Sequence, residues 1–172
     1  MTDFNADPDY EECLVTFVDV LGFRNLLHTR SGAEIREMLS TFRQVSEGDA
    51  EAPTRSDEMR MLSQVHAEIV SDAIVRTRTT ETQYHAGPLV WELIDLLHIQ
   101  IDCLNSGILV RGAMTIGHMH LGIGFDGPVF GPALVQAYEM EDREVVFPRI
   151  AVHEDVLARH REDTSLWREG HD

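Results

Sequence analysis

Two aspartates, a glycine and an arginine are the residues whose surroundings call for chemistry. Asp19 stands in Val15-Thr16-Phe17-Val18-Asp19-Val20-Leu21-Gly22-Phe23, a run that is β-branched or aromatic at nearly every position until the carboxylate interrupts it. A carboxylate among apolar residues costs free energy unless a cation or hydrogen-bond donors compensate. Two readings fit this local pattern: an aspartate capping the turn that follows, or a metal ligand. Asp72 is the second carboxylate, in Ser71-Asp72 between the apolar runs 65–70 and 73–75. Two carboxylates converging at one sheet edge can hold a pair of divalent cations, which one alone does poorly. Gly22 has no side chain, so its N–H and that of Phe23 can come close to a phosphate. Arg111 interrupts an otherwise apolar stretch and needs a partner there, whereas Arg24 and Arg149 are candidate cations that equally suit a solvated surface.

For Asp19 and Asp72 to meet, the strand carrying the first must lie beside the turn carrying the second. Residues 13–20 read as the first strand, after an acidic, aperiodic and flexible leader over 1–12. Ser31-Gly32-Ala33-Glu34 is a capping-box pattern, and Ile35, Met38, Leu39 and Phe42 give the helix it opens an apolar stripe. The polar stretch 48–58 reads as an exposed loop. Two apolar runs split by Ser71-Asp72 predict a β-hairpin, although neither residue is the usual glycine of so short a turn. Arg76 to Thr80 reads as a strand leaving the core. Gly87-Pro88 precedes a long amphipathic helix with Val90, Leu93, Ile94, Leu97, Ile101 and Leu104 turned inward, ended by Asn105-Ser106-Gly107. A strand over 108–116 closed by Gly117, a glycine-bent arm over 118–130, a helix over 131–141, a strand over 147–152 and a helix over 153–161 follow. The order β-α-β-β-α-β predicts an α+β fold, a ferredoxin-like antiparallel sheet with helices on one face, plus a C-terminal hairpin-helix-strand extension. In that arrangement Asp19 and Asp72 are neighbours. The domain spans 13–161, with 162–172 as a tail.

Composition narrows the chemistry. The chain has 172 residues, enough for one domain with a real core, and a formal net charge of −16 from 14 basic and 30 acidic side chains. Every basic residue is arginine, which excludes a phosphate-loop lysine and a Schiff-base lysine. So acidic a chain is a poor partner for duplex nucleic acid or an anionic membrane. Cys13 and Cys103, each in an apolar context, suit buried free thiols in a reducing compartment. With no signal-like N-terminus and no apolar run of membrane-spanning length, a cytoplasmic location is expected.

At this point the chain resembles the class III nucleotidyl cyclase catalytic domain, and more closely the Pycsar pyrimidine cyclases of bacterial antiphage defence. Class III cyclases open with Phe-x-Asp-Ile-x-Gly-Phe, matched here by Phe17-Val18-Asp19-Val20-Leu21-Gly22-Phe23. Their hairpin carries a second metal aspartate, usually after glycine, where this chain has Ser71-Asp72. Val110-Arg111-Gly112-Ala113-Met114-Thr115-Ile116-Gly117, Phe130-Gly131-Pro132-Ala133 through Glu141, and Phe147-Pro148-Arg149-Ile150 look like the Pycsar pattern. The likeness runs from about Leu14 to Val152. Purine-specific members place an Asn and an Arg on the helix after the arm; those positions are Val135 and Glu139 here. Adenylate cyclases read adenine with a Lys four residues before the second aspartate, and that position is Glu68.

The resemblance implies two Mn2+ or Mg2+ ions per site, held by Asp19, Asp72 and the Val20 carbonyl. It implies a nucleoside triphosphate positioned by Phe17, by the N–H groups of Leu21, Gly22 and Phe23, and by Glu68 at the base. Arg111 or Arg149 would replace the missing Asn and Arg. The family's site forms between two antiparallel subunits, so a homodimer is implied, with the helix over 131–141 facing the partner's metals. UTP is favoured over CTP. A degenerate nucleotide-binding relative and a purine cyclase are the alternatives. An unrelated zinc site built on His118 and His120 is a third reading.

Overall fold

Strand β1, Glu11–Val20, starts two residues before the apolar pattern does and forms the middle of a five-stranded sheet in a computed structural model describing residues 7–47, 66–80, 87–122 and 128–162. Helix α1 (Phe23–Thr29) follows at once. None of its residues is fully buried; Phe23 and Leu26 pack partly against the core, and at seven residues the helix is too short to show a sustained apolar period in sequence. Helix α2 (Gly32–Glu47) opens on the expected capping box: the Ser31 N–H donates to Glu34 Oε2 at 2.8 Å, and the Glu34 N–H donates to Ser31 Oγ at 3.3 Å. The loop expected over 48–58 lies outside the described residues. Strands β2 (His66–Val70) and β3 (Ala73–Thr79) form the hairpin, helix α3 (Pro88–Asn105) crosses back, and β4 (Val110–Met119) pairs with β1. Then come α4 (Pro132–Glu144), β5 (Ile150–Val152) and α5 (Glu154–Glu162).

The sheet order is β2-β3-β1-β4-β5, antiparallel except for the parallel β4–β5 pair. This is the ferredoxin-like α+β arrangement expected, with its C-terminal extension. The extension's helix takes the opposite face of the sheet. Leu14, Val18 and Val20 of β1 pack into a core with Phe42 of α2 and Leu96, Ile99 and Cys103 of α3. Cys13, Val15 and Phe17, on the alternate face, pack with Ala133 and Ala137 of α4. Strand β4 also runs through Gly117 to Met119 rather than closing there; a Cβ on Gly117 would sit 3.3 Å from that of Ala133, so the glycine admits α4. Only Ile150–Val152 of the expected 147–152 strand pairs with β4.

Helix α3 is turned differently from its apolar pattern. Leu89, Glu92, Leu96, Ile99 and Cys103 point inward, while Ile94, Leu97, Ile101 and Leu104 are exposed. The cause is ionic. Glu92 is buried against Arg76 and Arg78 of β3, whose stretch was expected to leave the core. Arg76 donates to Glu92 Oε1 at 2.8 Å, to Asp95 at 2.8 Å and to the Ser46 carbonyl at 2.6 Å. Arg78 donates to Glu92 Oε2 at 2.6 Å and meets Asp95 as well, and the Thr16 hydroxyl completes the ring at 3.1 Å. Burial alone would raise the Glu92 carboxyl, but the two guanidiniums hold it at about 2. A helix that must deliver Glu92 to two arginines cannot also bury Leu97 and Leu104, one third of a turn away.

Candidate active site

The end of β1 and the tip of the β2–β3 hairpin meet on the face covered by α4. Asp19 is in register with Ala73 of β3 on one side and Arg111 of β4 on the other. The Val20 N–H donates to the Asp72 carbonyl at 3.1 Å, which ties strand end to hairpin tip. Ser71 takes a positive φ of 62° to make that tip, a conformation costing a non-glycine residue about 1–2 kcal/mol. The Asp72 carboxyl lies close enough to act directly on that of Asp19. Burial, and then the adjacent Asp72 carboxyl, push the Asp19 carboxyl up to about 7, against the opposing pull of Arg111. The site is short of positive charge.

Arg111 spans it. Its Nη2 lies 3.6 Å from Asp19 Oδ2, its Nη1 donates to the Val145 carbonyl at 3.2 Å, and its Nε lies 2.5 Å from Glu141 Oε1. That last contact is an ion pair without hydrogen-bond alignment. Glu141, 2% exposed, follows Ala133 and Ala137 on the inner side of α4. Burial holds its carboxyl above the ordinary range, with Arg111 pulling the other way. Sequence reasoning missed Glu141; the one signal was its four-residue spacing from two small residues, Ala133 and Ala137.

Of the remaining candidates, some lie beside this cluster and others do not. Phe17 is on the same face and meets Tyr138 of α4 edge to face, with ring centroids 5.5 Å apart. Gly22, at φ 77°, turns the chain into α1, whose first N–H groups have no carbonyl to bond within the helix. The Leu21 N–H, expected to meet phosphate, instead donates to the Leu109 carbonyl at 2.8 Å. Glu68 is half-buried in β2, and β3 separates that strand from β1. Arg24 is exposed on α1. Arg149 is exposed too, and its Nη2 caps α4 through the Glu144 carbonyl at 3.0 Å, so the structure does not bring it to Asp19. Val135 and Glu139 are exposed on the outer side of α4. The inner side of that helix turns Ala133, Ala137 and Glu141 toward its own sheet, and its outer side carries Val135, Tyr138 and Glu139 exposed.

Do these residues fit divalent cations? The oxygen donors of Asp19, Asp72 and the backbone suit Mg2+ or Mn2+, which keep several waters and are completed by substrate phosphates. No group of three or more His, Cys, Asp or Glu side chains able to hold a metal ion is found among the described residues. The zinc reading finds no support at His120, whose Nδ1 bonds the Asp9 carbonyl at 2.8 Å and whose ring stacks on Phe130. Burial pushes the Cys13 thiol to about 12 and the Cys103 thiol to about 11, so neither is a nucleophile. No helix among the described residues is long and apolar enough to cross a membrane.

No protein-family model matches the chain, and no curated protein matches its sequence. Solved structures do match its fold. A rhodopsin-guanylyl cyclase catalytic core with converted specificity, in complex with ATPalphaS, is 15% identical at a TM-score of 0.66, covering 88% of this chain and 82% of that one. The guanylate cyclase domain of RhGC from Catenaria anguillulae, in complex with GTP, is 16% identical at a TM-score of 0.65, covering 88% and 82%. A bacterial light-regulated adenylyl cyclase is 12% identical at a TM-score of 0.63, covering 92% of this chain and 47% of that one. The fold is that of the guanylyl and adenylyl cyclase catalytic domains.

Proposed function

We propose that the chain is a nucleotidyl cyclase that converts a nucleoside triphosphate to its 3′,5′-cyclic monophosphate and pyrophosphate. The observation that carries this is the meeting of Asp19 and Asp72, at a strand end and a hairpin tip, in a fold shared with cyclase domains. Two Mg2+ or Mn2+ ions, when bound, would acidify the ribose 3′-hydroxyl and neutralise the triphosphate. The chain's own residues do the rest. Asp19, Asp72 and the Val20 carbonyl hold the ions, Gly22 and Phe23 offer N–H groups to phosphate, and Phe17, packed on Tyr138, helps position the nucleotide. Arg111 supplies the one guanidinium beside Asp19 among the described residues, and Arg149 stands at the end of α4.

The substrate we infer is a pyrimidine nucleotide, UTP before CTP. Val135 and Glu139 occupy the two helix positions that hold Asn and Arg in purine cyclases, and neither donates to a phosphate. Glu68, at the position of the adenine-reading lysine, accepts from a ring N–H such as the N3–H of uracil. The Pycsar-like pattern of 110–117, 130–141 and 147–150 points the same way, toward a second-messenger source in antiphage defence. The active form is a homodimer with composite sites, built on the exposed Val135, Tyr138, Val146 and Phe147. The same two replacements on α4 favour one rival, a cyclase fold that binds nucleotide without turnover. Pyrophosphate release by the wild-type chain from the triphosphate and Mn2+ separates the two, and Asp72→Ala abolishes that release while the circular dichroism spectrum is unchanged. Full release in that variant contradicts the two-carboxylate assignment.

A further inference from the structure

Glu141 has no packing reason to be where it is. It occupies an inward position of α4 in line with Ala133 and Ala137, and burying a carboxylate there costs several kcal/mol unless a cation answers it. Arg111 answers it at 2.5 Å, and the geometry of that arginine is unequal. Its Nε and Nη1 are engaged at the end of α4, by Glu141 and by the Val145 carbonyl at 3.2 Å. Its Nη2 stops 3.6 Å from Asp19, beyond hydrogen-bond range. Two adjoining carboxylates are a strong bidentate target for a guanidinium, and a free Arg111 would close on them. Something holds it back, and Glu141 and Val145 are what it is held to.

We propose that Glu141 is a positioning residue that retains Arg111 short of Asp19, keeping that carboxylate open to a divalent cation. The proposal rests on the reading of Asp19 and Asp72 as metal ligands. Glu141 touches neither metal nor nucleotide; it acts through Arg111. A guanidinium locked onto Asp19 and Asp72 would occupy the oxygens the cation needs and would cancel the charge that draws it. Held at α4, the same group remains beside the site without competing for its ligands.

The test is Mn2+ binding by the whole chain without nucleotide, read by electron paramagnetic resonance of the free ion, with circular dichroism melts as a fold control. Glu141→Gln is expected to weaken Mn2+ binding about tenfold, as loss of a ligand-orienting partner does. Adding Arg111→Met to Glu141→Gln restores it. Arg111→Met alone changes affinity by less than about threefold, because the arm is already held back. Two results overturn the proposal: Glu141→Gln without effect on affinity, or an Arg111→Met effect of equal size in both backgrounds, which is mere summation of charge. Should Glu141→Gln fail to fold, Glu141→Asp replaces it, keeping the charge and shortening the reach. A loss of affinity that Arg111→Met relieves supports the proposal, and unchanged affinity contradicts it. Failure of the wild-type chain to bind Mn2+ would instead remove the metal reading on which the proposal stands.

Discussion

Asp19 is the residue on which stability and function pull apart. It is mostly buried, its neighbour Asp72 is another carboxylate, and burial and that neighbour together raise its carboxyl to about 7. Without a divalent cation the pair is a source of strain. Asp19→Asn keeps the shape and removes one of the two like charges, so at pH 8 and without metal the variant melts above the wild type, by a few degrees for about 1 kcal/mol. Mn2+ raises the wild-type melting temperature through selective binding to the folded state and leaves the variant unmoved. Calorimetry with EDTA and with Mn2+ checks both halves, and a lower metal-free melting temperature for Asp19→Asn would contradict them. Asp19, Asp72 and Arg111 were each legible because a charged residue broke an apolar stretch. Glu141 was not, since on an amphipathic helix a glutamate looks like solvent-facing surface until the helix's orientation is known.

At the scale of elements, the ring of Arg76, Arg78, Glu92 and Asp95 decides how α3 sits on the sheet. The bounds of α2 and α3 and the order of the strands followed from capping patterns, turn residues and apolar periodicity, whereas α1 did not. The inward face of α3 did not. Its exposed stripe, Ile94, Leu97, Ile101 and Leu104, is as apolar as its buried one, and only the pairing of Glu92 with β3 chooses between them. Replacing Glu92 by Gln leaves two buried guanidiniums short of a counter-charge and costs about 3–5 kcal/mol. The same carboxylate makes the fold acid-sensitive. Its carboxyl lies at about 2 in the folded chain against an ordinary 4.5, so the unfolded chain takes up the proton first. Its stabilisation is complete above about pH 4.5 and is lost as pH falls toward 2. Urea midpoints therefore drop between pH 5 and pH 3, and Glu92→Gln shrinks that drop; an equal drop in the variant would show that other carboxylates carry it.

At the scale of the whole molecule, the sheet separates two tasks. One face carries α2, α3 and the buried ion ring; the other carries Asp19, Arg111 and α4. That second face ends in exposed apolar residues, with Phe147 at 70% exposure and Val146 at 70%. A homodimer that covers them is broken by Phe147→Asp, with light scattering reporting monomers and turnover falling with them. A variant that stays dimeric and active would place the interface elsewhere. Metal and phosphate contacts are common to every nucleotide, so the roles proposed for Asp19, Asp72 and Gly22 bear on the reaction without naming the base. The most direct measurement is incubation of the purified chain with Mn2+ and each of the four nucleoside triphosphates, with the products resolved by chromatography and phosphorus NMR. The expected result is a 3′,5′-cyclic monophosphate and pyrophosphate from UTP, with CTP second; no cyclic product from any of the four contradicts the assignment of a cyclase.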